Sequence, residues 1–222
     1  MNDGTGMAVK KMKIGISQRI VNEQNYVEKR DALSHDWTNF LEEINLIPVF
    51  IPNSLSDTTS FLESFGLNGM ILSGGDNLGV HPDRDKTELE CLKFAISKKI
   101  PVLGVCRGMQ LINNFFGGSI VQNDNNNHVR NNHAVKILDS DISNVLKTNL
   151  IVVNSYHNNL ITKDVLAPEL TSVAIDETDN SIECLLHDKY PILGVMWHPE
   201  RNPDENNKTI LQYFFKELTH VR

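Results

Sequence analysis

Residues 101 to 110 read PVLGVCRGMQ, an apolar, strand-like run that ends in a cysteine with a glycine two residues to either side. Paired glycines mark a place where backbone passes so close to backbone that a β-carbon would collide, as when a strand turns sharply into a helix. Cys106 would stand at the apex of such a corner. There the unsatisfied amides and aligned peptide dipoles of a helix N-terminus favour thiolate over thiol. The corner constrains the fold strongly, because joints of this kind belong to sheets whose reactive groups collect at the carboxyl ends of parallel strands. Cysteine is also often no more than a small buried hydrophobe, so a nucleophile reading needs a base from elsewhere in the chain.

The flanking sequence supplies the rest of an α/β pattern. Lys13 to Ser17 reads as a first strand, and Leu33, Trp37, Leu41 and Ile44 recur at helical spacing before a strand over Ile47 to Ile51. Ser60 and Glu63 have capping-box spacing for a short helix, Gly69 to Ser73 reads as a buried strand, and Gly74-Gly75-Asp76-Asn77 as its turn. Thr87 and Glu90 give a second capping pattern for a helix to about Lys99. A strand over Pro101 to Val105, a helix over Met109 to Phe116 and an extended stretch over Ser119 to Gln122 follow. Residues 123 to 132, NDNNNHVRNN, read as a polar loop. Beyond it, Ala134 to Leu138, Leu150 to Asn154, Leu170 to Asp176, Ser181 to Leu186 and Ile192 to Trp197 are strand-like, and Asn206 to Leu218 is an amphipathic helix.

The expectation is therefore an α/β fold: a mostly parallel central sheet flanked by helices, with an added antiparallel portion. Residues 1–12 read as a flexible N-terminal extension and residues 13–222 as a single catalytic domain, since 222 residues need no second core. No stretch approaches the roughly 20 apolar residues of a membrane helix, and MNDGTGMAVKKMK lacks the apolar centre of a signal peptide. A cytoplasmic protein with no membrane partner is expected. Three widely spaced cysteines, Cys91, Cys106 and Cys184, make a poor disulfide framework, and a net charge of −7 argues against nonspecific nucleic-acid binding. Oligomeric state is left open.

The base is offered by Ile192 to Arg201, ILGVMWHPER, where a second apolar run delivers His198 and, two residues on, Glu200. If His198 faces Cys106 it can take the thiol proton and return it to a leaving amine, while Glu200 orients the ring and stabilises imidazolium. By itself, His-Pro-Glu could equally be a turn with a solvated acid.

LSGGD at 72–76, PVLGVCRGMQLIN at 101–113, NSYH at 154–157 and GVMWHPE at 194–200 together resemble the class I glutamine amidotransferase superfamily. With HPDRD after the glycine turn, the layout is similar to its γ-glutamyl hydrolase branch. SQRIVNEQNYVEKRDALSHDW resembles the members of that branch that act in capsular phosphoramidate synthesis. The resemblance implies hydrolysis of a γ-glutamyl amide through a glutamyl-thioester on Cys106, in a Cys106-His198-Glu200 triad. It implies backbone amides of Gly75 and Arg107 as the oxyanion hole, and Gly74, Gln110, Ser155, Tyr156 and His157 against the glutamyl moiety. The implied partner is a small-molecule γ-glutamyl substrate, and in the closer likeness a cytidine nucleotide conjugate. One departure stands out: relatives in the branch often carry a second histidine after NSxH, whereas this chain continues Asn158-Asn159. That weakens transfer of γ-aminobutyrate as leaving group.

For a diphosphate on the leaving side, Arg19, Tyr26, Arg30, Arg84, His128, Arg130 and Arg201 lie in or beside predicted loops, each equally readable as a surface residue. No cofactor is expected. His81, His128 and His133 invite a metal assignment, but their chain spacing is irregular and the implied chemistry needs none. Two rival readings remain open: a glutaminase subunit passing ammonia to a separate synthase, and a non-catalytic ligand-binding module.

Overall fold

The structure, a computed structural model, describes residues 11–123 and 128–217. The expected N-terminal extension lies outside the described residues up to position 10, as do 124–127 of the asparagine-rich stretch and the last residue of the expected final helix.

The chain order begins with β1 (Met12–Ser17), a hairpin of β2 (Arg19–Asn22) and β3 (Lys29–Ala32), α1 (His35–Glu43), β4 (Leu46–Ile51), α2 (Thr58–Phe65), β5 (Gly69–Leu72) and α3 (Pro82–Lys98). It continues with β6 (Val102–Val105), α4 (Arg107–Phe115), β7 (Val121–Gln122), β8 (Val129–Ile137), α5 (Ser140–Leu146), β9 (Leu150–Tyr156) and β10 (Asn159–Leu160). The last elements are β11 (Leu170–Asp176), β12 (Ile182–His187), β13 (Ile192–Val195) and α6 (Glu205–Lys216). A single nine-stranded sheet, in the order β4-β1-β5-β6-β13-β12-β11-β8-β9, runs through the molecule. From β4 to β13 neighbours pair parallel; from β13 to β9 they pair antiparallel. This is the α/β sheet with an added antiparallel portion that the sequence implies.

Helices cover both faces, as a buried parallel sheet requires. Trp37, Phe40 and Leu41 of α1, Ile142 and Leu146 of α5, and Ile210, Leu211, Phe214 and Phe215 of α6 pack on one side. Leu62 of α2, Leu92 and Ala95 of α3, and Met109, Leu111 and Ile112 of α4 pack on the other.

Several expected boundaries move, each for a local reason. Asp57, not Ser60, caps α2: its carboxylate accepts from the Ser60 amide at 2.9 Å. Helix α3 starts at Pro82, five residues before Thr87, because proline presets the helical φ and needs no partner for a missing N–H. Residues 129–132 are not loop but the start of β8, where Asn131 and Asn132 pair with Ser155 and Asn154; a partner strand overrides polar composition. Of Ser119 to Gln122, only β7 is strand, paired with β10. The β2–β3 hairpin and α5 are elements that hydrophobic periodicity does not reveal. Helix α5 is held by Asp139, whose side chain accepts from the amides of Asp141 and Ile142.

Candidate active site

Adjacent parallel strands β5, β6 and β13 end level with one another, Leu72 beside Gly104 and Val105 beside Val195. Everything that follows these three strand ends therefore converges at one place. After β5 comes Ser73-Gly74-Gly75, after β6 comes Cys106, and after β13 come Met196, Trp197 and His198.

Cys106 sits at φ 51°, ψ −104° between β6 and α4, a backbone state that a non-glycine residue holds only under constraint. Its amide donates to the Val195 carbonyl at 2.8 Å and its carbonyl accepts from the Gln110 amide at 3.1 Å, so both sides of the corner are pinned. A β-carbon on Gly108 would lie 2.0 Å from the Leu72 carbonyl oxygen, and one on Gly104 would meet the Gly108 backbone at 2.7 Å. These two contacts are the collisions the paired glycines avoid. Cys91 and Cys184 are different: burial pushes both thiols up, and they behave as apolar filling.

His198 lies close enough to Cys106 for the sulfur to raise the imidazole's proton affinity, and its Nδ1 lies 2.8 Å from Glu200 Oε1. Burial pulls the imidazole pKa down, but hydrogen bonding and attraction from Cys106 on one side and Glu200 on the other outweigh it and raise it to about 9. The ring rests so close to Gly74 that a β-carbon there would fall 2.5 Å from its Cε1. Asn154 grips the histidine's backbone from both ends: its amide donates to the His198 carbonyl at 2.8 Å and its carbonyl accepts from the His198 N–H at 2.9 Å. Nothing in the NSYH stretch assigns Asn154 a role of its own; only the return of β9 to the end of β13 discloses one.

Gly75, at φ 143°, turns the chain above Arg84 and Arg19. Beneath it lies a buried ion network that sequence spacing does not reveal. Arg84 donates to Glu88 and to the carbonyls of Ser73 and Gly74, Arg107 pairs with Glu88 and Asp85, and Ser17 donates to Glu88. Arg84 is thereby committed to holding the glycine turn, which corrects its inclusion among leaving-side candidates. The side chain of Arg107 faces away into this network, leaving its backbone at the first turn of α4.

Gln110 is buried with its amide 3.7 Å from the Met196 sulfur. Ser155 is fully buried and donates to the His128 carbonyl at 2.6 Å. Tyr156 is half exposed, its ring centroid 5.9 Å from that of His198 and covered by the Arg201 guanidinium at 4.4 Å. His157 is buried, and burial together with neighbouring His128 keeps it neutral down to about pH 4 against the pull of Glu183. A cavity of about 60 Å³ opens beside His198, walled by Arg19, Ser34, Trp37, Gly74, Glu200 and Arg201 among others. Of the other leaving-side candidates, Arg30 is taken up by Glu23, Glu28 and Tyr26 within the β2–β3 hairpin, and His128 is buried against Asp179. Arg130 is exposed on β8.

A strained cysteine corner, a nearby imidazole hydrogen-bonded to a carboxylate, and a glycine turn beside them, on this sheet, define a class I glutamine amidotransferase-like protein. Residues 13–200 match the Peptidase C26 family, and the chain belongs to it. It is 33% identical over 211 residues to the γ-glutamyl-CDP-amidate hydrolase of Campylobacter jejuni, covering 92% of this chain and 98% of that one. It is 31% identical over 166 residues to a glutamine-hydrolysing GMP synthase subunit of Methanococcus aeolicus, covering 75% and 81%. Among solved structures, a glutamine amidotransferase from Thermotoga maritima superposes with a TM-score of 0.67 at 14% identity, over 96% of this chain and 100% of that one, a likeness of fold. No described helix is long and apolar enough to cross a membrane.

Proposed function

We propose that the protein hydrolyses a γ-glutamyl amide, with Cys106 as nucleophile. The observation that carries this reading is the line Cys106–His198–Glu200, with the imidazole held near pKa 9 between its two partners. The sulfur adds to the side-chain carbonyl carbon of the glutamyl group, and the C–N bond breaks as His198 gives its proton to the departing nitrogen. Water, deprotonated by the now neutral His198, then cleaves the thioester and returns the thiolate. Glu200 orients the ring and balances its charge. Backbone amides of Gly75 and Arg107 serve the oxyanion, each such donor contributing about 3 to 4 kcal/mol to the transition state. Gly74 leaves room for the imidazole, and Gln110, Tyr156 and the backbone of His157, whose ring is turned to Asn159 and Glu183, flank the glutamyl half. Ser155 acts through the NSYH backbone, its hydroxyl being engaged with His128.

For the leaving half we infer a cytidine diphosphoramidate, giving glutamate and the free phosphoramidate. The Campylobacter relative supports this choice, and Arg19 and Arg201 on the cavity wall supply cations suited to a diphosphate. Arg19 already pairs with Asp76 at 3.3 Å, so a phosphate would compete with that carboxylate. A second reading, a glutaminase subunit serving a separate synthase, is favoured by the GMP synthase relative. Product analysis with γ-glutamyl-CDP-amidate, γ-glutamyl-γ-aminobutyrate and glutamine side by side distinguishes them. Fast release of glutamate from the CDP-amidate alone supports the first; turnover of glutamine only when a synthase is added supports the second.

A further inference from the structure

At the antiparallel end of the sheet lies a buried group of histidines and carboxylates that the chemistry at Cys106 does not use. His128 precedes β8, His133 lies within it, His157 follows β9, Asp176 ends β11 and Glu183 is in β12. One ligating atom from each of His128, His157 and Glu183 falls within 4.8 Å of the others, and these three side chains are all more than nine-tenths buried.

Their hydrogen bonds leave lone pairs with no hydrogen-bond partner among the described residues. Nε2 of His128 is 2.8 Å from Asp179, which fixes the proton there and leaves Nδ1 bare. Nδ1 of His157 faces the Asn159 carbonyl at 3.0 Å, so it carries the proton and leaves Nε2 bare. Neither oxygen of Glu183 has a hydrogen-bond partner among the described residues. A buried carboxylate that accepts no hydrogen bond and has only imidazoles, at 3.4 and 3.7 Å, beside it is costly, and two imidazoles with outward protons anchored on oxygen are in the state a metal ion requires. The spacing agrees: two ligand atoms about 2.1 Å from one tetrahedral ion stand about 3.4 Å apart, and His157 Nε2 is 3.7 Å from Glu183 Oε1. On the far side, His133 lies 3.4 Å from Glu183 Oε2 and 3.3 Å from Asp176, placing it to steady the carboxylate.

We infer that His128, His157 and Glu183 form a binding site for a divalent transition ion of the zinc class, separate from the catalytic sulfur and independent of the reaction proposed above. Two imidazoles and one carboxylate suit zinc with a fourth position left for water. Such an ion would tie the ends of β8 and β9 to β12. Irregular chain spacing argues against a metal, but sheet pairing, not spacing, decides which of these residues meet; His81 lies instead beside Asp76.

The test uses the untagged full chain carrying Cys106→Ser, so that the active-site thiolate cannot take zinc. After equilibrium dialysis against zinc chloride, metal content is measured by mass spectrometry, and cobalt substitution is read by visible absorbance. One equivalent of zinc, a higher melting temperature with zinc than with chelator, and four-coordinate cobalt bands are expected. Glu183→Gln should abolish retention. Asp179→Asn, at a partly exposed position outside the core, should weaken zinc about tenfold or more. Failure of the Cys106→Ser chain to retain zinc, or retention unchanged by both further substitutions, overturns the site.

Discussion

The two halves of the sheet build their chemistry in opposite ways. In the parallel half, Gly74-Gly75, Cys106 and His198 each follow directly on a strand end, so three short local motifs meet because their strands are neighbours. In the antiparallel half, His157 follows β9 and Glu183 lies in β12, with β8 and β11 between those strands; His157 closes the NSYH stretch, but no motif surrounds Glu183 or His128. The first arrangement announces itself through glycines that the close approach demands; the second leaves no such trace. Asn154 joins the two, since it belongs to the edge strand β9 yet holds the backbone of His198.

The largest effect that would sharpen this contrast is Cys106→Ala. It should lower γ-glutamyl hydrolysis by about 10⁴-fold or more while the chain stays folded, checked by glutamate release beside circular dichroism. Wild-type turnover would remove the parallel half's claim to the chemistry.

Glu200→Gln should cost about 10² to 10⁴-fold in kcat and alter stability against pH. His198 has a folded pKa raised to about 9 from 6.5, so the stabilisation it gives is fully present below about pH 6.5 and lost as pH rises through about 9. Its size is roughly 3 kcal/mol. Removing the carboxylate charge should lower the upper end of that window, so urea melts at pH 7 and pH 9.5 should differ less in the variant than in the parent chain.

Asn154→Ala probes the link between halves. With both hydrogen bonds to His198 gone, kcat should fall about 10²-fold through misplacement of the imidazole, with stability lower by about 1 to 2 kcal/mol. An unchanged kcat with the same loss of stability would mean that the antiparallel half only supports the fold.

The smallest contrast is between two glycines. Gly108→Ala forces a β-carbon against Leu72 backbone and should cost about 3 kcal/mol. Gly117→Ala, at φ 93° with open space around it, should cost about 1 kcal/mol from backbone strain alone. Equal costs in denaturant titrations would show that close approach does not account for the shape of the corner.

Legibility in the sequence follows the same division. Strand β11 is read with its observed bounds and the strands leading to Cys106 and His198 within a residue or two, because each is a compact apolar run closed by glycine or a polar turn. The cysteine corner and the partnership of His198 with Glu200 are readable for the same reason. By contrast, Asn131 and Asn132 read as loop, since nothing in an asparagine run says that Ser155 and Asn154 will lie opposite. The spacing of Thr87 and Glu90 starts α3 too late, because Pro82 is the stronger signal for a first helical turn. Arg84 has the composition of a surface cation and is instead the buried clamp on Ser73 and Gly74, a role fixed only when α3 packs under β5.

The sequence alone determined the corner at Cys106 and the order of strands and helices around it, because steric exclusion of a β-carbon and apolar periodicity act over a few residues. Tertiary structure decided which distant groups share a proton, a charge or an empty lone pair: Asn154 with His198, Arg107 with Glu88, Glu183 with the histidines around it. Those pairings depend on strand register and burial, which raise or lower the cost of a charge according to what the fold places beside it.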